Sequence, residues 1–350
     1  MIKKAILTGG GRATRLRPIT TTINKHLIPL AGEPMIFHAI KKVIDVGVEK
    51  IYINVNPGET ELQKAVGDGR RWGIKIEFFE QVGGPQGIAH VVKQAQNLIG
   101  SDPFIFYLSD NIILGKLDEL VNDYNQQNLD CMLALAKVPD PERFGIPYFD
   151  ETGKLIDARE KPANPPNNFA ITGIYIFGPN LFFKAFDNIK PSARGEYEIP
   201  DIYSYLIKNN YQVGYKEITG WWKDTGKPDD LLLANALLMD QKPADFWTRD
   251  KIKLGAGVKI GANVELIGPA IIGRDCRLDD CHIGPHTYLG DNCHLKSVKV
   301  ENSLIFDNCQ IECNRQIRNS IIGRNAVIRE QAKDDSANNL IVGDNSLINL

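Results

Sequence analysis

A glycine-rich stretch and the polar segment after it decide the fold of this chain: Leu7-Thr8-Gly9-Gly10-Gly11-Arg12-Ala13-Thr14-Arg15-Leu16-Arg17-Pro18, then Asn24-Lys25-His26-Leu27-Ile28-Pro29. The apolar run before the glycines predicts a buried strand that ends in a loop whose backbone comes close to a ligand. Four cations, Arg12, Arg15, Arg17 and Lys25, follow with no acid before Glu33. Bare N–H groups and fixed positive charge suit a polyphosphate. A glycine turn with solvated arginines is the alternative, and the loop by itself favours phosphate binding only modestly.

Size and composition fit a globular protein of two domains or of one large domain. The chain has 350 residues, 43% of them hydrophobic and 24% charged, with a net charge of −2. A near-neutral balance argues against a nucleic-acid partner. The N-terminal apolar run is too short for a signal peptide, and no stretch approaches the ~20 apolar residues of a membrane span. We therefore expect a cytoplasmic protein without a membrane or nucleic-acid partner, in which the six cysteines are reduced thiols.

Strand and helix patterns alternate up to about residue 138. The strand candidates are Lys3–Leu7, Ile51–Val55, Lys75–Phe79, Phe104–Leu108 and Cys131–Lys137. The helix candidates between them are Pro34–Val46, Glu59–Val66, Ile88–Leu98 and Leu117–Gln127. This alternation predicts an α/β, doubly wound, Rossmann-like sheet, in which ligands bind beyond the carboxyl ends of the strands. The glycine loop and Ser109-Asp110-Asn111 each follow such a strand.

The part from about 140 to 225 has a different pattern. Short strands separated by turns rich in proline and asparagine predict a mixed α+β insertion rather than more doubly wound sheet. The strand candidates are Ile146–Phe149, Leu155–Ala158, Ala170–Phe177 and Gln212–Glu217, and Tyr203–Asn209 and Pro228–Met239 read as helices.

After about residue 250 apolar residues recur every six positions, as in Val258, Val264, Ala270 and Cys276. A second apolar residue stands two positions after each of these, and glycine often follows that second residue. This hexapeptide repeat predicts a left-handed parallel β-helix, interrupted by a polar loop at 330–340. The expected domains are therefore 1–240, which holds the insertion, and 241–350.

Cysteine and histidine in the repeat admit two other interpretations. Cys276-x4-Cys281 and Cys309-x3-Cys313 lack the tight spacing of structural zinc sites, so we expect core packing. Hexapeptide β-helices often serve acyltransferases with a histidine base. We expect His282, His286 and His294 to lie at the surface or in turns instead.

Two carboxylates are candidates for a cation site. Asp110 follows a strand, and Asp224 lies in a Trp-Lys-Asp-Thr-Gly turn. Two carboxylates plus a polyphosphate suit Mg²⁺. Turn formation and helix capping explain the same residues, and their spacing alone does not pair them. Glu160, Lys161 and Arg194 suit a sugar phosphate, although solvated charge is the commoner explanation.

Taken together, these pieces resemble the sugar-1-phosphate nucleotidylyltransferase family, and most closely its long-form glucose-1-phosphate thymidylyltransferase branch. The likeness runs through the glycine loop, the Asn24–Leu27 segment, Gln81 with Gly87-Ile88-Ala89, Asp110-Asn111, Pro141–Gly145, Glu160-Lys161-Pro162, Arg194-Gly195-Glu196, Trp222–Pro228 and the hexapeptide tail. Each motif is weak alone, but their order and joint presence are specific.

The resemblance implies attack of a sugar 1-phosphate on the α-phosphorus of a nucleoside triphosphate, with release of pyrophosphate. It assigns charge neutralisation to Arg15 and Lys25, and Mg²⁺ to Asp110 and Asp224. It implies nucleotide contacts from Thr8, Gly9, Gly10, Thr14, Gln81 and Gly87. Contacts with the sugar and its phosphate are implied for Gly145, Glu160, Lys161, Ile171 and Arg194. The expected substrates are dTTP, or alternatively UTP, and glucose 1-phosphate.

Two departures and three alternatives accompany this interpretation. Ala13 stands where the family usually has glycine, and Pro200 stands where close short forms have threonine. The alternatives are a UTP-dependent enzyme, a bifunctional nucleotidylyltransferase and N-acyltransferase, and a non-catalytic regulatory subunit. Since β-helices often expose self-associating faces, we also expect a homo-oligomer.

Overall fold

The computed structural model describes residues 2–11, 13–84, 86–330, 337–338 and 340–349. Arg12, and most of the predicted polar loop at 330–340, lie outside the described residues. The chain forms two compact units, one from Met1–Gly11 and Ile36–Asp224, the other from Arg12–Met35 and Thr225–Leu350. The domain boundary expected at residue 240 stays a prediction.

The strands up to residue 240 are β1 (Lys4–Thr8), β2 (Pro29–Leu30), β3 (Glu33–Pro34), β4 (Lys50–Val55), β5 (Lys75–Glu80), β6 (Phe104–Tyr107), β7 (Asn111–Ile113), β8 (Cys131–Lys137), β9 (Gly145–Phe149), β10 (Leu155–Glu160), β11 (Phe169–Phe177), β12 (Val213–Glu217) and β13 (Trp222–Asp224). The helices are α1 (Met35–Asp45), α2 (Glu61–Val66), α3 (Ile88–Gln94), α4 (Gln96–Ile99), α5 (Asp118–Gln126), α6 (Leu181–Phe186), α7 (Ile199–Lys208) and α8 (Pro228–Asp240). The sequence did not predict α6 or the short strands β7 and β13.

The first unit is built on one sheet, which contains nine strands in the described part of the chain. Its parallel portion runs β5-β4-β1-β6, with β1 pairing β4 on one side and β6 on the other. The strand order therefore reverses between β1 and β6. In such sheets the crevice at this reversal, beyond the carboxyl ends of the strands, is where ligands bind. The Rossmann-like prediction is confirmed for these strands.

The strands of the mixed α+β part extend this same sheet. Strand β11 pairs antiparallel with β6, and β9 and β8 both pair with β11. All residues of β6, and all of β11 but Phe169, are buried. Aromatic stacking joins the two strands, since the Phe106 and Tyr175 ring centroids are 5.7 Å apart. Burying these apolar strands against each other is what makes the sheet mixed rather than parallel throughout.

The second unit continues from residue 252 as short parallel strands. They are β14 (Ile252–Leu254), β15 (Lys259–Ile260), β16 (Glu265–Leu266), β17 (Ala270–Ile272), β18 (Arg277–Asp279), β19 (His282–Ile283), β20 (Thr287–Leu289), β21 (His294–Lys296), β22 (Lys299–Glu301), β23 (Leu304–Ile305), β24 (Gln310–Glu312), β25 (Gln316–Arg318), β26 (Ile321–Ile322), β27 (Val327–Arg329), β28 (Ala337–Asn338), β29 (Ile341–Val342) and β30 (Leu347–Asn349). Each strand pairs with the third strand along, so the described chain passes through three parallel sheets in rotation.

The repeat positions stack into columns inside these sheets. Ile272, Leu289, Ile305 and Ile322 are consecutive partners, each at most 1% exposed. Cys276, Cys293 and Cys309 occupy equivalent repeat positions, and each thiol donates to a backbone carbonyl at 3.1 Å. All six cysteines are free and buried, which matches the expectation of core packing.

The sheet that begins with β14 and β17 buries apolar residues on both of its faces. Its inward residues join the column just described, whereas Ile271 on the other face packs with Ala31 of β2–β3 and Met239 of α8. Asn235 of α8 supports this packing, since its side chain accepts from Ala31 N–H and donates to the His286 carbonyl. Ala31, in the turn between β2 and β3, therefore belongs to the hydrophobic core of the second unit. No helix among the described residues is long and apolar enough to cross a membrane.

Candidate active site

The glycine loop after β1 is hydrogen-bonded to two asparagines. Asn54 lies near the end of β4, and Asn56 follows that strand. Asn54 Oδ1 accepts from Gly9 N–H at 3.1 Å, and Asn56 Oδ1 accepts from Gly11 N–H at 3.0 Å. A Cβ on Gly10 would lie 2.8 Å from the Asn54 amide nitrogen, so only glycine allows this close approach. The loop is thus fixed against β4 before any ligand arrives, with the Gly9 N–H committed to Asn54.

Thr8 joins the ends of β1 and β6 at the point where the strand order reverses. Its hydroxyl accepts from Ser109 N–H at 2.8 Å, and both residues are buried. The bond brings the glycine loop beside the Ser109-Asp110-Asn111 segment within the first unit. These are the two strand ends at which the sequence predicted a ligand.

Asp110 and Asp224 are brought together by a two-stranded ribbon. Strand β13 pairs antiparallel with β7, so that Asp224 lies opposite Asn111, the residue after Asp110. Asn111 Nδ2 donates to Asp110 Oδ1 at 2.9 Å, and Trp222 Nε1 donates to Asn111 Oδ1 at 2.9 Å. The structure thus makes neighbours of two carboxylates that sequence spacing could not pair.

The donor set around these carboxylates fits a hard divalent cation. Among the described residues no group of three or more His, Cys, Asp or Glu side chains could hold a metal by itself. Mg²⁺ does not need such a cage, because it takes one or two carboxylates and completes its shell with water and substrate phosphates. A pair of oxygen donors beside a phosphate-type loop meets that requirement.

The segment from Gln81 to Gly87 is clamped at both ends. Gln94 of α3 makes two bonds to the backbone of Val82, and Gln81 N–H donates to the Val55 carbonyl at 2.9 Å. Gly87 has φ +94°, and a Cβ there would lie 2.5 Å from the Tyr197 carbonyl oxygen. Tyr197 in turn donates to the Gln86 carbonyl at 2.8 Å. This loop is therefore packed against the segment that carries Arg194.

Three predicted sugar contacts lie side by side on adjacent strands. Gly145 of β9 is the register partner of Glu160 on β10 and of Ile171 on β11. The three residues form a small patch in which the Glu160 carboxylate and the apolar Ile171 side chain both lie beside the Gly145 backbone. A carboxylate accepting from hydroxyls above an apolar floor is an arrangement that suits a sugar ring.

Lys161 and Arg194 gather around the same carboxylate. Lys161 Nζ lies 3.0 Å from Glu160 Oε1, and Arg194 Nη2 lies 3.5 Å from it. Arg194 is held more tightly by the buried Glu198, at 2.6 Å, and this hydrogen bond raises the pKa of Arg194 above its ordinary value. Both cations therefore already have a carboxylate partner, Glu198 for Arg194 and Glu160 for Lys161.

The other three predicted residues lie in the second unit. Thr14 and Arg15 form a short 3-10 turn, in which both are exposed and Leu16 is buried. Lys25 begins another 3-10 turn, whose start is capped by Asn24 accepting from His26 N–H. Their roles toward a substrate stay predictions.

The two departures from the family pattern have local explanations. Ala13 adopts φ 42° and ψ 44°, a left-handed conformation that glycine adopts more easily. Pro200 is the second residue of α7, where an N–H has no partner within the helix. Proline at this position therefore removes no hydrogen bond from within the helix.

Several residues that shape the site were missed from the sequence. Asn54, Asn56, Tyr197 and Trp222 all act through bonds to distant backbone or side chains. The only local signal was polarity, since Asn54 is an asparagine inside an otherwise apolar strand and is 2% exposed. Such a residue in a strand usually has a specific partner.

Comparison with known proteins places the chain among described families. Residues 4–241 match the nucleotidyl transferase family, and residues 266–349 match the family described as the GMPPB C-terminal domain. Two curated relatives are glucose-1-phosphate thymidylyltransferases, from Streptomyces griseus and Streptomyces antibioticus. They are 34% and 35% identical over 98% and 99% of both chains, respectively.

A similar solved structure is a Bacillus anthracis protein described as a glucose-1-phosphate thymidylyltransferase and solved with sucrose. It is 34% identical, with a TM-score of 0.64 over 70% of this chain and 98% of its own. The similarity therefore extends to the three-dimensional fold of most of the chain.

Proposed function

Because the chain belongs to the sugar-1-phosphate nucleotidylyltransferase family, we propose that it transfers a thymidylyl group from dTTP to glucose 1-phosphate. The products are dTDP-glucose, used for sugar-nucleotide and deoxysugar biosynthesis, and pyrophosphate. The observation that carries the proposal is the pairing of β13 with β7, which sets Asp224 beside Asp110 at the end of β6. The two Streptomyces relatives, which match this chain over nearly its full length, are named glucose-1-phosphate thymidylyltransferases.

The reaction needs positioning and charge neutralisation more than a covalent catalyst. An anionic oxygen of the sugar phosphate attacks the α-phosphorus, and the bond from that phosphorus to the oxygen of the pyrophosphate breaks. No general base is required, since the nucleophile carries no proton. The proposal gives Arg15 and Lys25 the task of stabilising charge on the transferring phosphorus and on the leaving pyrophosphate.

Nucleotide binding is assigned to the glycine loop and the Gln81–Gly87 segment. Thr8, Gly9, Gly10 and Thr14 would line the base, ribose and phosphates, and Gln81 and Gly87 would read the edge of the pyrimidine. The support is that Gly9 and Gly11 are hydrogen-bonded to Asn54 and Asn56, and that Val82 is hydrogen-bonded to Gln94.

Asp110 and Asp224 would hold Mg²⁺, and the donor set described above supports the assignment. The ion supplies Lewis-acid neutralisation of phosphate charge when bound. Asp110 is oriented by Asn111, so its carboxylate is fixed before substrates arrive.

Sugar binding is assigned to Gly145, Glu160 and Ile171, with Lys161 and Arg194 at the sugar phosphate. The register of β9, β10 and β11 supports the first three. Arg194 also forms an ion pair with Glu198. This ion pair would hold the segment that carries Arg194 close to Glu160.

The test is pyrophosphate release by the purified protein with Mg²⁺, four nucleoside triphosphates and several hexose 1-phosphates. We expect the largest kcat/KM with dTTP and glucose 1-phosphate, and loss of turnover in Asp224→Asn. No release with any pair would contradict the proposal and revive a regulatory role.

UTP is the second candidate nucleotide. Thymine and uracil differ by one methyl group, worth about 1–3 kcal/mol of discrimination in a pocket. A kcat/KM for UTP equal to or above that for dTTP would make this chain a uridylyltransferase.

We further infer that the described residues between 252 and 349 form a left-handed parallel β-helix of hexapeptide repeats. The rotation through three sheets and the stacked columns support it. We expect this part to mediate homo-oligomer formation rather than acyl transfer. A sedimentation run showing only a 39.0 kDa species, or acetyl-CoA turnover on glucosamine 1-phosphate, would contradict these expectations.

The reaction is assigned to the cytoplasm. Six free thiols suit a reducing compartment. Expression with a fluorescent tag and fractionation would test this, and recovery in a membrane or secreted fraction would contradict it.

A further inference from the structure

The amide of Asn111 lies at the centre of the proposed cation site. Asn111 is 4% exposed. Its Oδ1 accepts from Trp222 Nε1 at 2.9 Å and from Gly173 N–H at 3.3 Å, and its Nδ2 donates to Asp110 Oδ1 at 2.9 Å. One side chain therefore joins β13, β11 and the residue before β7.

The donors around Asn111 fix the orientation of its amide. An indole N–H and a backbone N–H can only donate, so the oxygen of the amide must face Trp222 and Gly173. The NH₂ group must then face Asp110. Neither half of the amide can rotate without leaving a buried donor unsatisfied, which costs more than the bond itself contributes.

The backbone of Asn111 is fixed as well. Its carbonyl accepts from the buried hydroxyl of Tyr107 at 2.8 Å, and its N–H donates to the Leu108 carbonyl at 2.9 Å. Across the ribbon it is the register partner of Asp224. Main-chain and side-chain bonds thus both fix Asn111, which is bonded to Asp110 and pairs with Asp224 across the ribbon.

We propose that Asn111 is a positioning residue that holds Asp110 and Asp224 in place as cation ligands, and that the hydrogen bond from Trp222 Nε1 sets the orientation of its amide. The inference rests on the proposed function, because it takes these carboxylates as the cation ligands. The link from Asn111 to Gly173 also ties the cation site to β11, the strand that carries Ile171.

Two substitutions separate this role from simple packing. Trp222→Phe removes the indole donor and keeps an aromatic ring beside Phe144, which now packs edge-on at 5.5 Å. Asn111→Leu keeps the approximate volume and removes every side-chain hydrogen bond. Trp221→Phe is the matched control, since it makes the same chemical change at the neighbouring tryptophan, which is not buried.

The experiment measures dTTP affinity by calorimetry, once with Mn²⁺ and once with EDTA, in the absence of sugar phosphate so that no turnover occurs. Trp222→Phe should weaken binding with Mn²⁺ about 3–10-fold, and Asn111→Leu by more than about 10-fold. Binding in EDTA should change less than about 2-fold in each, and Trp221→Phe should match wild type in both conditions. A purely structural role would weaken both affinities together.

An unchanged Mn²⁺-dependent affinity in Trp222→Phe overturns the proposal, as does an equal loss with and without the cation. Should Asn111→Leu fail to fold, the Trp222→Phe comparison decides alone. Wild-type pyrophosphate release is measured on the same preparation. If it is absent while the cation effect persists, the proposed function fails and the positioning role stands.

Discussion

Arg15 and Lys25 carry the sharpest predictions at the scale of single residues. Each would stabilise charge that develops as the α-phosphorus is attacked, and removing one such group typically lowers the rate about 10²–10³-fold. We expect Arg15→Ala and Lys25→Ala each to lower kcat/KM by about 100-fold or more, measured by pyrophosphate release. Arg12→Ala should be milder, below about 10-fold. An Arg12 variant as impaired as Arg15→Ala would show that the loop is aligned wrongly with the family.

Gly87 provides a second test at this scale. Alanine there would have to adopt φ +94° with its Cβ 2.5 Å from the Tyr197 carbonyl oxygen. Such strain costs on the order of 1–3 kcal/mol, so Gly87→Ala should lower the free energy of unfolding by about that amount and raise KM for dTTP. Urea denaturation and initial rates measure both.

Gly84→Ala is the matched control, in the same loop. Its φ is +78°, and a Cβ there would meet nothing within 4 Å. If the two variants lose equal stability, backbone strain alone explains Gly87 and the contact with Tyr197 has no separate effect.

At the scale of elements, helix α3 carries a histidine, His90, that should make the stability of the protein depend on pH. His90 lies on it with its ring stacked on Tyr197, at 6.3 Å between centroids, and its buried Nδ1 has no hydrogen-bond partner among the described residues. Burial lowers the pKa of His90 below its ordinary 6.5. The unfolded chain therefore binds a proton more readily than the folded protein as the pH falls through 6.5.

The consequence is a loss of stability in mild acid. The contribution of neutral His90 is complete above pH 6.5 and declines as the pH falls from there toward the lower folded-state pKa. The urea midpoint should decrease between pH 7.5 and pH 5.5, and His90→Phe should make this decrease smaller. His294→Gln, at an exposed position of β21, should leave it unchanged. An unaltered slope in His90→Phe would remove His90 as the cause.

The accuracy with which the sequence predicted each element depends on the length and pattern of that element. Strand β8 was predicted to the residue, because it is a continuous apolar run. The Ile88–Leu98 helix is instead broken into α3 and α4 at Ala95, and β7 and β13 are too short to give a period. Those two strands carry the pairing that unites Asp110 with Asp224, so the decisive local structure was the least visible one.

At the scale of the molecule, the outward face of the β14–β17 sheet contributes to the hydrophobic packing of the second unit. Ile271 is 6% exposed and packs with Ala31 and Met239, although it points away from the repeat interior. Placing a charge there should be severe, because an unpaired buried carboxylate has no compensating partner. We expect Ile271→Glu to lower the free energy of unfolding by about 3 kcal/mol or more.

The control is Ile260→Glu on β15, where the isoleucine is 41% exposed. This change should cost less than about 0.5 kcal/mol. Thermal denaturation followed by circular dichroism measures both variants. Equal melting temperatures would mean that the outward face of the sheet contributes nothing to stability.

The sequence by itself determined the layout of the protein. Apolar periods of two, of 3.6 and of six residues are local properties of the chain, so the strand–helix alternation, the repeat and the ordered motifs could all be read from it. The family resemblance implied Gly145, Glu160 and Ile171 as sugar contacts, and the register places them on adjacent strands.

Only the tertiary structure decided which distant residues meet. The pairing of β13 with β7, the hold of Glu198 on Arg194 and the packing of Ala31 on Ile271 join residues far apart in the chain. No local period encodes such contacts, since they depend on how whole elements bury their apolar surfaces. The sequence of the glycine loop by itself favoured phosphate binding only modestly. The asparagines that fix it, and the amide that orients Asp110 beside it, required the fold.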